Sequence, residues 1–212
     1  MSCIDLIKYG GAPLAGTATA ATSPKVANAD ESEYGSVERR YNKIYLYTEV
    51  TSESCAMTQR AIEDATAEMQ QYSTALSIPE PPRIELHIQS PGGALLPTFG
   101  LIDFIARNPV SVDSYIDAFA ASAATLISVS CSRRYAYPHS IMMLHQLSGS
   151  ASGKFTEMET QVKNMDLFME MIRRIYVDHT AMNRSELNGI LAKDDWFSAQ
   201  NCLDRGIIDA IL

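Results

Sequence analysis

Residues 83–106 read RIELHIQSPGGALLPTFGLIDFIA. Ile84, Leu86 and Ile88 alternate with Glu85, His87 and Gln89, which is the period of a strand. Ser90-Pro91-Gly92-Gly93 comes next as a tight turn, where glycine lets another backbone or a ligand come close. Leu95 to Ala106 then reads as a helix. A strand, a Gly-Gly turn and a helix leave free backbone N–H groups at the helix start, a place that favours developing negative charge. Alone, a Pro-Gly-Gly turn is equally well just a turn.

The same alternation of strand and helix extends both ways. Lys43 to Thr48 is strand-like. Residues 52–77 carry helical periodicity through Met57, Ala61, Ala65 and Met69, stopped by Pro79, Pro81 and Pro82. Val110 to Ile116 is a further strand, and Ala121 to Val129 a short helix. Arg134–Tyr137 and Ile141–Leu144 are short strands around Pro138. After the loop-like Ser148–Gly153, Thr156-Glu157-Met158-Glu159 reads as a capping box opening a long helix. Val162, Met165, Met169, Ile172 and Tyr176 recur along one face of it, a pattern of core or subunit packing. A helix over Ser185–Leu191, a last helix capped by Ser198 and closed by Gly206, and a strand over Ile207–Leu212 complete the pattern. The pattern predicts an α/β layered domain.

Residues 10–36 are rich in Ala, Thr, Ser and Gly and poor in large apolar side chains. Such a stretch buries too little surface to offset its ordering entropy. Residues 1–38 are therefore expected to be a flexible or processed N-terminal extension, and 39–212 a single domain. The chain has 212 residues, 46% hydrophobic and 20% charged, enough for one proper core. Its 17 basic against 25 acidic residues argue against a nucleic-acid partner. The pairs Arg39-Arg40, Arg133-Arg134 and Arg173-Arg174 are isolated and expected to be solvated. Cys3, Cys55, Cys131 and Cys202 form no CxxC pair, which argues against zinc or a redox motif. No apolar run is long enough for a membrane span and the N-terminus is a poor signal peptide. A cytoplasmic protein without membrane association is the expectation.

Residues 117–128, DAFAASAATLIS, place one hydroxyl, Ser122, among alanines after a strand and at a helix start. Read locally, Ser122 is a helix cap or packing filler as readily as a nucleophile with room for an extended substrate. A nucleophile needs a base, and the base an orienting group. His145 ends an apolar strand beside a Gly/Ser loop, where catalytic groups tend to sit. His87 lies mid-strand, His139 in a turn and His179 near a helix end, all with plain structural readings. The 25 carboxylates cannot be ranked by spacing alone.

Taken together, IELHIQSPGG, AFAASAATLIS, MMLHQ and DDWFSAQNCLDRGIIDAIL resemble the proteolytic subunit of the Clp protease, ClpP, from about residue 42 to Leu212. The resemblance implies the ClpP/crotonase-like layered α/β fold, with a strand-plus-long-helix handle over Leu147–Phe155 and the adjoining helix. It implies a serine protease domain with Ser122 as nucleophile, His145 as general base and Asp194 as orienting acid. Asp194 is chosen by its place before Ser198 in the family's Asp-x-x-x-Ser-Ala pattern, with Asp195 as the fallback. The oxyanion donors implied are the N–H groups of Gly93 and Ala123. No metal or organic cofactor is implied for the bond cleavage.

The same resemblance implies self-association into stacked heptameric rings around a chamber, polypeptide substrates, and an AAA+ Clp unfoldase docked on the outer face. The chain departs from the usual pattern around Ser122, where ClpP has a glycine before and Met-Gly or Met-Ala after. Those small residues are similar to the ClpP-like proteases of phages and, distantly, to signal-peptide peptidases. Leu147 stands where a proline usually follows His-Gln, and Glu85 and His87 stand where tyrosines usually build the docking pocket. The alternative reading is a non-proteolytic or regulatory ClpP-like ring subunit. A crotonase-type acyl-CoA enzyme shares the fold but leaves Ser122 and His145 without a purpose.

Overall fold

A computed structural model describes residues 36–212. The expected extension over 1–38 lies outside the described residues except for its last three, of which Val37 and Glu38 already belong to a strand, β1 (Val37–Arg40). A tight turn with Tyr41 at φ 57° reverses the chain into β2 (Lys43–Leu46), antiparallel to β1. No periodicity announced β1, which is short and carries mostly charged residues.

Helix α1 (Ser52–Leu76) begins at a reciprocal cap. Thr51 Oγ1 accepts from the Ser54 N–H at 3.0 Å, and Ser54 Oγ accepts from the Thr51 N–H at 2.8 Å. Two donors that the helix cannot satisfy itself are thereby paired. Its buried stripe is Cys55, Thr58, Ile62, Ala65 and Met69, so Met57 and Ala61 of the expected stripe sit at its half-buried edge. Ser77 closes the helix in the left-handed region, ahead of the prolines.

Next come β3 (Ile84–Ser90), α2 (Leu95–Arg107), β4 (Val112–Ala121) and α3 (Ala123–Val129). Pro97 is tolerated in α2 because the first-turn N–H groups have no intrahelical acceptor. β4 runs further than the pattern predicted: residues 117–121 are strand, and α3 starts only at Ala123. Every residue of α3 is buried, so no amphipathic edge marked its start. β5 (Arg134–Ala136), β6 (Ile141–Met143), α4 (Phe155–His179), α5 (Arg184–Leu191), β7 (Trp196–Ser198), α6 (Ala199–Asp204) and β8 (Ala210–Ile211) complete the chain.

The sheet order is β1-β2-β3-β4-β5-β8, with β6 branching from β4 and β7 pairing β6. β2 through β5 and β8 are parallel, as right-handed crossovers through packed helices require. Ile44, Leu46, Ile84, Leu86, Ile88 and Ile116 are fully or almost fully buried. At about 2 kcal/mol each, these six side chains dominate the hydrophobic contribution of the sheet.

The long helix of the expected handle is present, but it opens elsewhere than the pattern suggested. Lys154 precedes its first residue, and the Glu157 carboxylate accepts from the Lys154 N–H at 3.0 Å, in place of a Thr156–Glu159 box. Residues 144–154 hold no strand pairing among the described residues. Only Ile172 and Tyr176 of α4 are buried, while Phe155, Val162 and Leu167 are 70%, 51% and 57% exposed. Arg134, expected to be solvated, instead donates to Asp209, His179 O and Gly206 O. Among the described residues no helix is long and apolar enough to cross a membrane.

Candidate active site

Ser122 sits at the junction of β4 and α3 with φ 55° and ψ −127°. A non-glycine residue holds such a conformation at a cost of about 1–3 kcal/mol, so its surroundings must impose it. They do so from both sides. The Ser122 N–H donates to Met143 O of β6 at 2.8 Å, and Ser122 O accepts from the Thr125 N–H at 3.0 Å and from Thr125 Oγ1 at 2.6 Å. The same Thr125 hydroxyl meets the hydroxyl of Tyr176, buried on α4, at 2.6 Å. Burial drives the Tyr176 phenol well above its ordinary pKa, so it stays neutral.

The Ser-Pro-Gly-Gly turn packs directly on this junction. A Cβ on Gly92 would lie 2.4 Å from Ala121 O and 2.7 Å from Ser122 Cβ, which only glycine avoids. Val50 brackets the turn, donating its N–H to Gly92 O at 2.8 Å and accepting from the Ala94 N–H at 2.7 Å. The Gly93 N–H between them is left out of this bridge and has no backbone acceptor among the described residues. The Ala123 N–H, at the first position of α3, is likewise without one.

His145 comes directly after Leu144 at the end of β6. The chain beyond it is pinned by the Gln146 N–H on Leu191 O at 2.8 Å and the Leu147 N–H on Met169 Sδ at 3.1 Å. Gly93, Ser122, Ala123 and His145 line one pocket of about 40 Å³, walled by Leu126, Leu147, Ile172 and Tyr176. Four of the five site residues expected from the sequence thus share one wall. No hydrogen bond joins Ser122 Oγ to the His145 ring among the described residues.

Asp194 comes to His145 through a strand that the sequence did not reveal. β7 pairs antiparallel with β6, Met143 opposite Trp196 and Ile141 opposite Ser198. The same register continued beyond the ladder sets Leu144 against Asp195 and His145 against Asp194. Asp194 Oδ1 lies 3.9 Å from His145 Nδ1, an ion-pair distance longer than a hydrogen bond, and its side chain is 82% exposed. Asp195, the fallback, has no such position. The sequence assigns Thr125 no role and Tyr176 only a place on the packing face of the long helix, since only the packing of α4 on α3 brings Tyr176 to the back of the pocket.

Known proteins share this sequence pattern. The family described as Clp protease matches residues 38–212. An ATP-dependent Clp protease proteolytic subunit 1 of Protochlamydia amoebophila (strain UWE25) is 35% identical over 129 residues, covering 59% of this chain and 63% of that protein. A proteolytic subunit 1 of Streptomyces avermitilis and a proteolytic subunit 3 of Streptomyces coelicolor are each 30% identical over 131 residues, covering 61% of this chain and 60% of theirs. These matches span less than two thirds of the length of the relatives.

Proposed function

The chain belongs to the Clp protease family, and on that premise we propose that it is a serine endopeptidase cleaving unfolded polypeptides. The observation that carries this reading is the shared pocket of Gly93, Ser122, Ala123 and His145, with Asp194 facing the far ring nitrogen. Neutral His145 takes the Ser122 proton as Oγ attacks a peptide carbonyl, then returns it to the leaving amine. Asp194 favours the tautomer with the proton on Nδ1 and stabilises the imidazolium. The tetrahedral oxyanion is received by the Gly93 and Ala123 N–H groups, each worth about 10²–10³ in rate. In this reading a Ser122–His145 hydrogen bond forms and the Asp194 contact tightens when substrate binds, as catalytic contacts commonly do.

The chamber belongs to the same proposal. The exposed apolar residues Phe155, Val162 and Leu167 on α4 fit burial against a second ring. Stacked heptameric rings, an AAA+ unfoldase partner and a cytoplasmic location complete the reading. A regulatory, non-proteolytic ring subunit is the second reading, favoured by the 3.9 Å His145–Asp194 separation and by Glu85 and His87 on β3, where the family usually has tyrosines.

Labelling with a fluorophosphonate and hydrolysis of a fluorogenic peptide test both. Wild type should label at Ser122 and hydrolyse, and Ser122→Ala should lose both, with kcat down about 10⁴-fold or more. Full peptidase activity in Ser122→Ala overturns the assignment. Activity seen only on mixing with an active ClpP subunit moves the chain to the regulatory reading.

A further inference from the structure

β4 changes partners in the middle. Its first half pairs with β5 through Ser114–Ile116, and its end pairs with β6 through Phe119–Ala121. On its other side the register with β3 breaks at the same place: Ile88 opposes Ile116, but Ser90 opposes Ala120. Asp117 and Ala118 therefore lie in a bulge that neither neighbouring ladder holds. Bulges bend a strand and re-aim the residues beyond them. Beyond this one lie Ala121 and the strained Ser122.

Packing does not clamp this segment either. It borders an open groove of about 640 Å³ between Phe119, Met143 and Trp196. The Asp117 side chain is instead tied back across the sheet. Its two oxygens receive His87 Nδ1 of β3 at 2.9 and 3.0 Å, and Oδ2 also accepts from the Tyr47 hydroxyl just after β2. His87 is 6% exposed and fixed between two rings, with Tyr45 at 4.9 Å and Tyr115 at 5.0 Å, both nearly parallel to it. Its Nε2 faces Glu85 at 3.4 Å, and Glu85 is held by Lys43 at 2.7 Å. Desolvation, with the Asp117 hydrogen bond second, keeps the Tyr47 phenol far above its ordinary pKa, so it remains a donor.

We propose that Asp117, His87 and Tyr47 are positioning residues for the nucleophile turn. They replace the missing ladder across the bulge and so fix how β4 delivers Ser122 against Gly92 and Gly93, the turn into which β3 itself runs. The proposal rests on the assignment of Ser122 as nucleophile and adds three residues outside the pocket. None of the three touches substrate. Their effect reaches the reaction through the backbone of residues 117–122, where a displacement near 1 Å can cost about 10²-fold.

The test uses the full chain and four variants: Asp117→Asn, Tyr47→Phe, His87→Phe and His87→Asn. His87→Phe keeps a flat ring between Tyr45 and Tyr115 but removes the donor. His87→Asn gives up the ring but offers an amide N–H near the place of Nδ1. The expected result is a roughly tenfold fall in kcat at unchanged KM for Asp117→Asn and His87→Phe, recovery in His87→Asn, and a smaller fall in Tyr47→Phe. Hydrogen exchange, which needs no catalysis, should rise in peptides covering 117–123 and stay unchanged in α1 and α5. Unchanged exchange over 117–123, or exchange raised evenly across β2–β5, overturns the proposal even if wild type proves inactive. Inactive wild type with the local exchange response keeps the positioning network and removes only the protease reading.

Discussion

Two histidine–aspartate pairs stand among the described residues, and they are built in opposite ways. His87 and Asp117 lie mid-sheet, buried, with Nδ1 at 2.9 and 3.0 Å from the two carboxylate oxygens. His145 and Asp194 lie at strand ends, 3.9 Å apart, with the aspartate 82% exposed. The tight pair lies outside the proposed catalytic triad, and the loose pair is part of it. The difference comes from the surroundings of each. Flanking strands and stacked rings leave His87 one orientation. The His145 ring has no hydrogen-bond partner among the described residues, it lies next to a Ser/Gly segment, and Asp194 projects from the edge where β7 begins. A buried pair gains fixed geometry, whereas an edge pair keeps the freedom to close around a substrate.

The edge pair is the place to apply the largest perturbation after Ser122 itself. Asp194→Asn should lower kcat by about 10²–10³-fold, less than for a buried triad aspartate because solvent already shares the orienting work. Asp195→Asn should change kcat by no more than about threefold, since the β6–β7 register turns that residue away from His145. Steady-state hydrolysis of a fluorogenic peptide by the two variants separates them. Equal losses would break the register argument, and a larger loss in Asp195→Asn would reverse the assignment.

How far the sequence carried this distinction depended on range. The Ser-Pro-Gly-Gly turn and the helices α1, α2 and α4 are local patterns, legible from periodicity and glycine placement. Ser122 itself read equally as a cap until the distant motifs were combined through a family resemblance. The choice between Asp194 and Asp195 rested on that resemblance because the physical reason for it, β7 pairing with β6, joins residues far apart in sequence. Locally, His87 reads as a plain strand residue. Its partners Asp117 and Tyr47 come from other strands, and nothing within IELHIQS reports them. The bulge in β4 is hidden from the sequence for the same reason, so the pattern predicts a helix from Ala121 where α3 begins at Ala123.

The point where the two pairs communicate is Gly92, at the end of the His87 strand and in contact with Ser122. Gly92→Ala forces a Cβ to 2.4 Å from Ala121 O at a φ of 85°. The expected outcome is a loss of about 2–3 kcal/mol in stability and of about 10²-fold in kcat, read by denaturant unfolding and peptide hydrolysis. A stable variant with full activity would show that the close approach of the Ser-Pro-Gly-Gly turn to Ser122 is incidental, and would separate the two pairs.

The smallest effect is expected at the rim of the buried pair. Lys43 reaches Glu85 at 2.7 Å with its side chain 44% exposed. The hydrogen bond to Glu85 raises the Lys43 pKa above its ordinary 10.5, against a smaller lowering by burial. A lysine raised on folding stabilises the protein fully below its unfolded value, and this contribution is lost only as pH climbs through the folded one. Lys43→Gln should therefore cost about 0.5 kcal/mol at neutral pH, a surface-pair magnitude, and that cost should fade as pH rises past the ordinary lysine range and through the raised folded-state value. Denaturant unfolding of wild type and variant at pH 7 and in alkali measures the difference directly. The cost stays small because Glu85 touches His87 only at 3.4 Å, while Asp117 and the two flanking rings hold the imidazole without it. A cost of several kcal/mol would mean that the buried pair depends on its charged rim, and that its rigidity is as exposed to solvent conditions as that of the pair at the pocket.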